Sequence, residues 1–299
     1  MSATLDVIGV GDVDLDIFIR VPHRPGPDEK VVATEVHRCP GGMVGNVVVA
    51  LSAFGTTCGV IAVVGNDADG QDVRTNLQAW GVRLDGLHTH PNAPTFMCIV
   101  LIASDAEKSL ILTPTDAFWP TTTDVTAELL STARHVHTTT DRPEVAYATL
   151  TMAHSLGLST SLDLEVGKFA SSTVGWDDLV SQTDVLFTNG RSAQVVTGMG
   201  DTKEAAAALQ TRGPRSVAVT CGAAGAVLCD QHGTLVAPAQ PAMVVDTTGA
   251  GDRFAAALLH AWLRGWPVTD QLHFALEHAA HAVTGVGSQA GLPQENRRL

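Results

Sequence analysis

Two short runs carry the residue types that could do chemistry. The first is Val244-Val245-Asp246-Thr247-Thr248-Gly249-Ala250-Gly251-Asp252-Arg253-Phe254. An apolar stretch ends there, a Gly-Ala-Gly turn follows, and helical periodicity begins. The first N–H groups of a helix have no partner within it, and with the helix dipole they form an anion site. Gly249 and Gly251 let a phosphate approach that backbone closely. Asp252 stands beside it, where a carboxylate can take a proton from an attacking hydroxyl. The same residues also make an ordinary glycine turn with an N-capping aspartate, and turn chemistry alone does not separate the two readings. The second run is Pro40-Gly41-Gly42-Met43-Val44-Gly45-Asn46. Its Gly-Gly turn leads into another helix with Asn46 in the first turn, an amide that can donate to and accept from a polyhydroxylated ligand. Taken alone, a tight turn with polar residues at a helix start explains it better.

These runs need elements to position them. Residues 5–10, 15–21 and 30–36 have the apolar, β-branched character of strands, with a Pro/Gly loop at 22–28. A helix is predicted over 46–54, stopping at Gly55, then a buried strand at 58–64 and a helix over 69–80 ended by Gly81. Residues 95–102 and 109–113 read as a hairpin around 104–108. From about residue 124 helices and strands alternate: helices 125–132, 144–156, 192–197 and 202–212, strands 135–138, 160–164, 185–188 and 216–220. That order implies parallel βαβ units with helices on both faces of a sheet. A late antiparallel hairpin (226–229, 234–236) and two long helices (251–264, 270–284) follow. The expectation is a single α/β domain over 1–299, a doubly wound, mostly parallel sheet flanked by helices. A small β-strand lid is formed by about 12–38 and 93–114.

Composition narrows the partners. The 299 residues carry 18 Lys+Arg against 31 Asp+Glu, a net charge of −13, which argues against nucleic acid or an anionic membrane surface as partner. No apolar run approaches the roughly 20 residues that span a bilayer, and the N-terminus lacks the pattern of a signal peptide. Five cysteines without CxxC spacing read as reduced, packed thiols, so a cytoplasmic location is expected. No P-loop, dinucleotide fingerprint or Gly-x-Ser-x-Gly elbow occurs. His135 and His137 read as core or edge histidines rather than metal ligands.

Gly41-Gly42-x-x-x-Asn46 together with Asp246-Thr247-Thr248-Gly249-Ala250-Gly251-Asp252-x-Phe254 resembles the paired signatures of the ribokinase/PfkB family of ATP-dependent carbohydrate and nucleoside kinases. The resemblance implies that Asp252 is the general base and that Gly249, Ala250 and Gly251 form the anion hole for the transferring phosphoryl group. It implies sugar contacts from Asp14, Asp16, Gly41, Gly42 and Asn46, with Thr95 and Met97 of the lid and positions near 140–142 setting specificity. On the nucleotide side it implies Asn189, Thr220, Gly222, Gly225, Gly251 and His278. ATP and Mg²⁺ are the implied cofactors. A K⁺ loop would comprise Asp246, Thr248 and the carbonyls of Ala282, Gly285 and Gly287. A homodimer through the lid is also allowed.

The chain departs from the family's pattern in two places. Ser192 stands where an acid usually organises the Mg²⁺ water shell, which turns attention to Asp163 and Glu165. Gly291 lacks a hydroxyl that some members use at the cation loop. The function expected is γ-phosphoryl transfer from ATP to a hydroxyl, in the first instance a primary one, of a small sugar. The alternatives are a nucleoside kinase acting on the ribose 5′-hydroxyl and a non-catalytic sugar- or nucleotide-binding sensor. Only Phe18, Phe96 and Phe118 lie near the lid to stack on a base.

Overall fold

The structure, a computed structural model, describes residues 4–103, 108–168 and 172–298. Strand β1 (Leu5–Val10) is flanked by β4 (Cys58–Gly65) and β8 (Ala133–Thr139), both parallel to it. Beyond β4 lies β5 (Arg83–His90). Beyond β8 come β9 (Ser159–Leu164), β10 (Val185–Asn189), β11 (Ser216–Thr220), β12 (Ala226–Asp230) and β13 (Gly233–Ala237). Neighbours are parallel except at the β11–β12 and β12–β13 pairings. The chain builds outward from β1 in one direction, then returns to build from its other side. The switch therefore lies between β1 and β8, and ligands of open α/β sheets bind beyond the strand C-termini at such a point.

Alternating strand residues feed cores on opposite faces. Val185, Phe187 and Ala218 pack with α1 (Met43–Ala53), α2 (Ala68–Ala79), α8 (Ala250–Leu263) and α9 (Val268–Ala282). Leu186, Val217 and Val219 pack against α4 (Pro143–Ser155), α5 (Trp176–Val180), α6 (Gly190–Thr197) and α7 (Thr202–Gln210). Each fully buried Leu or Val contributes about 1.5–3 kcal/mol, which fixes β10 and β11 against both layers. The remaining helix, α3 (Ala127–Leu130), adds Leu130 to a third cluster with Trp119 and Val136.

A second, four-stranded sheet in the order β3-β2-β6-β7 comprises β2 (Asp14–Arg20), β3 (Glu35–Gly41), β6 (Met97–Ile102) and β7 (Lys108–Thr113). Phe18, Cys98, Val100 and Ile102 form its own core. The α/β class, the parallel sheet, the hairpin at β6–β7 and the small separate sheet agree with the sequence reading. The tip of that hairpin falls mostly outside the described residues. The strand expected at 30–36 is instead β3, shifted to Glu35–Gly41. Antiparallel pairing with β2, from Arg20↔Glu35 to Asp14↔Gly41, sets its position. Pro40 is tolerated because β3 is an edge strand. Strand β5, polar and at the sheet edge, has no counterpart in the sequence reading. Among the described residues no helix is long and apolar enough to cross a membrane.

Candidate active site

Gly249 ends the approach to α8 with φ 73°, a left-handed conformation that a side chain rarely adopts. A Cβ there would lie 2.6 Å from Ser288 Cα, so glycine is required twice over. Asp252 then falls in the first turn of α8. Its Oδ2 accepts a 2.7 Å hydrogen bond from the Asn46 amide on α1, and Asn46 Oδ1 accepts one of 2.6 Å from Ser288 Oγ. The two signature runs, about 200 residues apart, thus meet through one side-chain contact. Burial holds the Asp252 carboxyl well above the usual carboxylate range; the Asn46 bond opposes this, while Asp163, Asp12 and Glu165 reinforce it.

Asp252 faces a cavity of about 340 Å³ whose other walls come from the strand ends and the small sheet. Asp14 and Asp16 project from alternate positions of β2 into it, both buried. Asp14 Oδ1 has no hydrogen-bond partner among the described residues, an acceptor waiting for a donor. Burial, then the Asp16, Asp12, Asp252 and Asp141 charges, keeps the Asp14 carboxyl far above its ordinary value. Asp16 is pushed up to about 7 by burial and by Asp12 and Asp246, with Cys98 and Lys108 opposing. Gly41 is the reason both fit: a Cβ there would meet Asp14 Oδ1 at 2.7 Å and collide with Asp16. Gly42 adopts φ 87°, and a Cβ on it would lie 2.7 Å from the Asp12 carbonyl.

Asp12 is a cavity residue that no sequence motif marks. It lines the cavity and caps α1, its carboxylate accepting from Met43 N at 2.8 Å and Val44 N at 3.2 Å. Asp141, beyond the C-terminus of β8, also lines the cavity, as do Phe96 and Phe118, whose rings lie 4.0 Å apart. Asp141 falls within the expected 140–142, whereas for Asp12 the available signal is a carboxylate just past the parallel strand β1 at the switch point. Arg142 lies over the Phe118 ring, 5.8 Å from its centroid. Asp163, raised to about 7 by burial, Glu165 and Asp141, completes the wall together with Glu165 and Asn189.

A second, mostly apolar cavity of about 560 Å³ adjoins the first. Thr220, Gly222, Gly225, Ala250 and Gly251 line it, with Val244, Leu276, Ala279 and Val283. Thr220, Thr247, Gly251 and Phe254 belong to both cavities, so the N-terminus of α8 lies at their junction.

Several expected residues lie elsewhere. Thr95 and Met97 fall on the face of the β6 segment opposite Phe96 and Cys98, and only the latter pair reaches the cavity. Thr95 instead fastens Gly65 N (2.9 Å) to Asp67 (2.6 Å) at the start of α2. His278 lines neither cavity; its ring packs on Phe54 and Phe274, and burial first, then Arg253, lowers its pKa to about 4. Phe18 is in the core of the small sheet. Ser192 is buried at the α6 start, where its Oγ accepts from Val166 N at 3.3 Å. Asp246 accepts from Thr248 N (2.9 Å), Thr248 Oγ1 (2.8 Å) and Gly287 N (3.0 Å). His135 and His137 are buried and share Ser161, as core histidines should.

Fold and site together define an α/β protein in which a carboxylate-lined cavity and an apolar one meet at the N-terminus of one helix. The pfkB family carbohydrate kinase profile matches residues 5–295. An ATP-dependent ribose-1-phosphate kinase of Halopiger xanaduensis is 30% identical over 271 residues, covering 90% of this chain and 88% of the relative. A nucleoside kinase of Methanothermobacter thermautotrophicus is 25% identical, covering 98% and 94%. The structure of Arabidopsis thaliana ribokinase complexed with ribose and ATP superposes with a TM-score of 0.83 at 26% identity, covering 97% and 96%. The chain belongs to the pfkB family of carbohydrate kinases, phosphotransferases with an alcohol group as acceptor.

Proposed function

We propose that this kinase transfers the γ-phosphoryl group of ATP to a hydroxyl, most simply a primary one, of a small neutral sugar. The observation that carries the reading is the junction: Gly251 lines both cavities and Asp252 faces only the first. ATP would lie in the apolar cavity along Thr220, Gly222 and Gly225, with its phosphates at the backbone N–H groups that open α8. Gly249, Ala250 and Gly251 would stabilise the charge of the transferring group, and Asp252 would take the proton from the sugar hydroxyl. The sugar would be held by Asp14, Asp16 and Asn46, with Gly41 and Gly42 admitting it to the α1 turn. Lys108, on the small sheet, reaches Thr248 Oγ1 at 3.4 Å, which supports that sheet, formed by about 12–38 and 93–114, acting as a lid over the sugar cavity. Closing such a lid excludes water and protects ATP from hydrolysis.

Seven carboxylates and a single lysine line the sugar cavity, which favours an uncharged substrate over one already phosphorylated. Magnesium, which neutralises ATP phosphates when bound, keeps several waters as ligands. With Ser192 turned into the protein, Glu165 and Asp163 are the acids at the cavity edge that would hold those waters. The nucleoside reading keeps one specific support: the Phe96–Phe118 pair offers an aromatic wall on which a base could stack. A homodimer through the lid is supported by its outer face, where Ile17, Ile19, Ile99 and Leu101 are half-buried and Val36 and Ile111 exposed. Five free cysteines fit a reducing, cytoplasmic setting. ADP release with pentoses, hexoses, keto-sugar acids, ribose 1-phosphate and nucleosides tests the proposal. Stimulation by a neutral sugar supports it, and preference for nucleosides or for ribose 1-phosphate would displace it.

A further inference from the structure

Directly after Asp252 stands Arg253, buried to 1% exposure. Buried arginines are ordinarily paired with an acid. Here Nη2 donates instead to two backbone carbonyls, those of Ser288 and Ala290, at 3.1 Å each. Nη1 is buried with no hydrogen-bond partner among the described residues. Burial lowers the guanidinium pKa to about 10, against the opposing Asp252 charge, so it stays charged at neutral pH.

The carbonyls that Arg253 holds belong to the segment for which the family resemblance implies K⁺. Three of the five groups expected around that ion, Asp246, Thr248 and the Gly287 carbonyl, are already engaged. Asp246 accepts three hydrogen bonds, one of them from Gly287 N, and the Gly287 carbonyl accepts from Ala290 N at 3.1 Å. As it stands, that set leaves at most the Ala282 and Gly285 carbonyls to an exchangeable cation. Backbone carbonyls are the ligands an alkali ion would take, and a fixed guanidinium holds two others of the same segment, those of Ser288 and Ala290. The segment it grips also reaches the base: Ser288 Oγ donates to Asn46, and Asn46 donates to Asp252.

We propose that Arg253 is the resident cation of this loop, holding Ser288 so that Asn46 orients Asp252 and making turnover independent of added monovalent cations. The proposal rests on the kinase reading of Asp252. Arg253 lines neither cavity, so it is a positioning residue rather than a catalytic one.

The test compares the parent protein in tetramethylammonium, Na⁺ and K⁺ chlorides at equal ionic strength. The parent is expected to turn over within about twofold in all three, whereas a neutral Arg253→Met variant loses about 10–100-fold in kcat with the KM for ATP nearly unchanged. K⁺ should restore part of that loss, and Arg253→Lys should retain most of the activity. Melting temperature supplies a readout that needs no substrate: K⁺ should raise it in Arg253→Met and leave the parent unmoved. That readout separates failure of this inference from failure of the kinase reading, which would show as no turnover with any acceptor. If Arg253 variants do not fold, Ser288→Ala keeps the guanidinium–carbonyl bonds and breaks only the relay. It should move the acid limb of the rate profile to higher pH at an unchanged melting temperature. Activation of the parent by K⁺ of more than about tenfold, parental kcat in Arg253→Met, or an unmoved acid limb in Ser288→Ala would each overturn the proposal.

Discussion

Replacing Asn46 with alanine removes the hydrogen bond that favours the ionised form of Asp252, a charge-assisted contact of 2.7 Å. Such a bond to a charged group contributes about 1.5–3 kcal/mol. All of it acts on the carboxylate and little on the neutral acid, so its loss disfavours ionisation. At about 1.4 kcal/mol per decade, the ratio of ionised to protonated Asp252 should fall by about 10–100-fold. Burial and the charges of Asp163, Asp12 and Glu165 already hold this carboxyl high, so the change adds to an existing bias. The assay is the pH dependence of kcat with saturating ATP and sugar. The acid limb should move to higher pH, and turnover at high pH should recover most of the parental value. An Asn46→Ala enzyme with an unmoved acid limb, whatever its KM for sugar, would refute the role given to that hydrogen bond.

Three further outcomes are expected. Gly41→Ala drives a methyl group against Asp14 and Asp16; it should raise the KM for sugar by about tenfold or more and leave ATP binding, read by calorimetry, unchanged. Asp16 has its folded pKa raised to about 7, so its contribution to stability is present below the unfolded value of about 3.9 and lost as pH rises through 7. Asp16→Asn should therefore melt higher than the parent at pH 8 and no higher at pH 5. The comparison with the parent cancels His135 and His137, whose pKa values burial lowers to about 3 and about 4 and which act in the opposite sense. Equal melting differences at both pH values would remove the burial argument for Asp16. Ile99→Lys, on the outer face of the lid, should shift a dimer to monomer in sedimentation velocity without unfolding; a parent that sediments as a monomer contradicts the lid interface.

Much of this architecture could be read directly from residues 244–254 and 40–46, because glycine at a turn and an acid at a helix start are local features with local causes. The alternation of strands and helices after residue 124 was equally readable, since each element is set by its own periodicity. What escaped depends on pairing partners. Strand β3 takes its position from β2, and its internal proline suits a strand only at a sheet edge. Thr95 and Met97 are expected at the site while Phe96 and Cys98 line it, because the face of a strand that meets a cavity is set by the other sheet. Ser288, Arg253 and Asp12 carry no motif of their own, yet they complete the surroundings of Asp252 across 240 residues of sequence. His278 was drawn to the nucleotide by family analogy, and an aromatic cluster claims it instead.

The most direct test of the central claim follows phosphorus through the reaction. With ATP, Mg²⁺ and a panel of neutral sugars, ³¹P NMR should show a new phosphomonoester appearing as ATP becomes ADP, in amounts equal to the ADP formed. The Asp252→Asn variant should bind the same sugar and slow that transfer by about 10²–10⁴. ADP without a phosphomonoester, no transfer to any sugar despite binding, or near-parental turnover in Asp252→Asn would contradict the account.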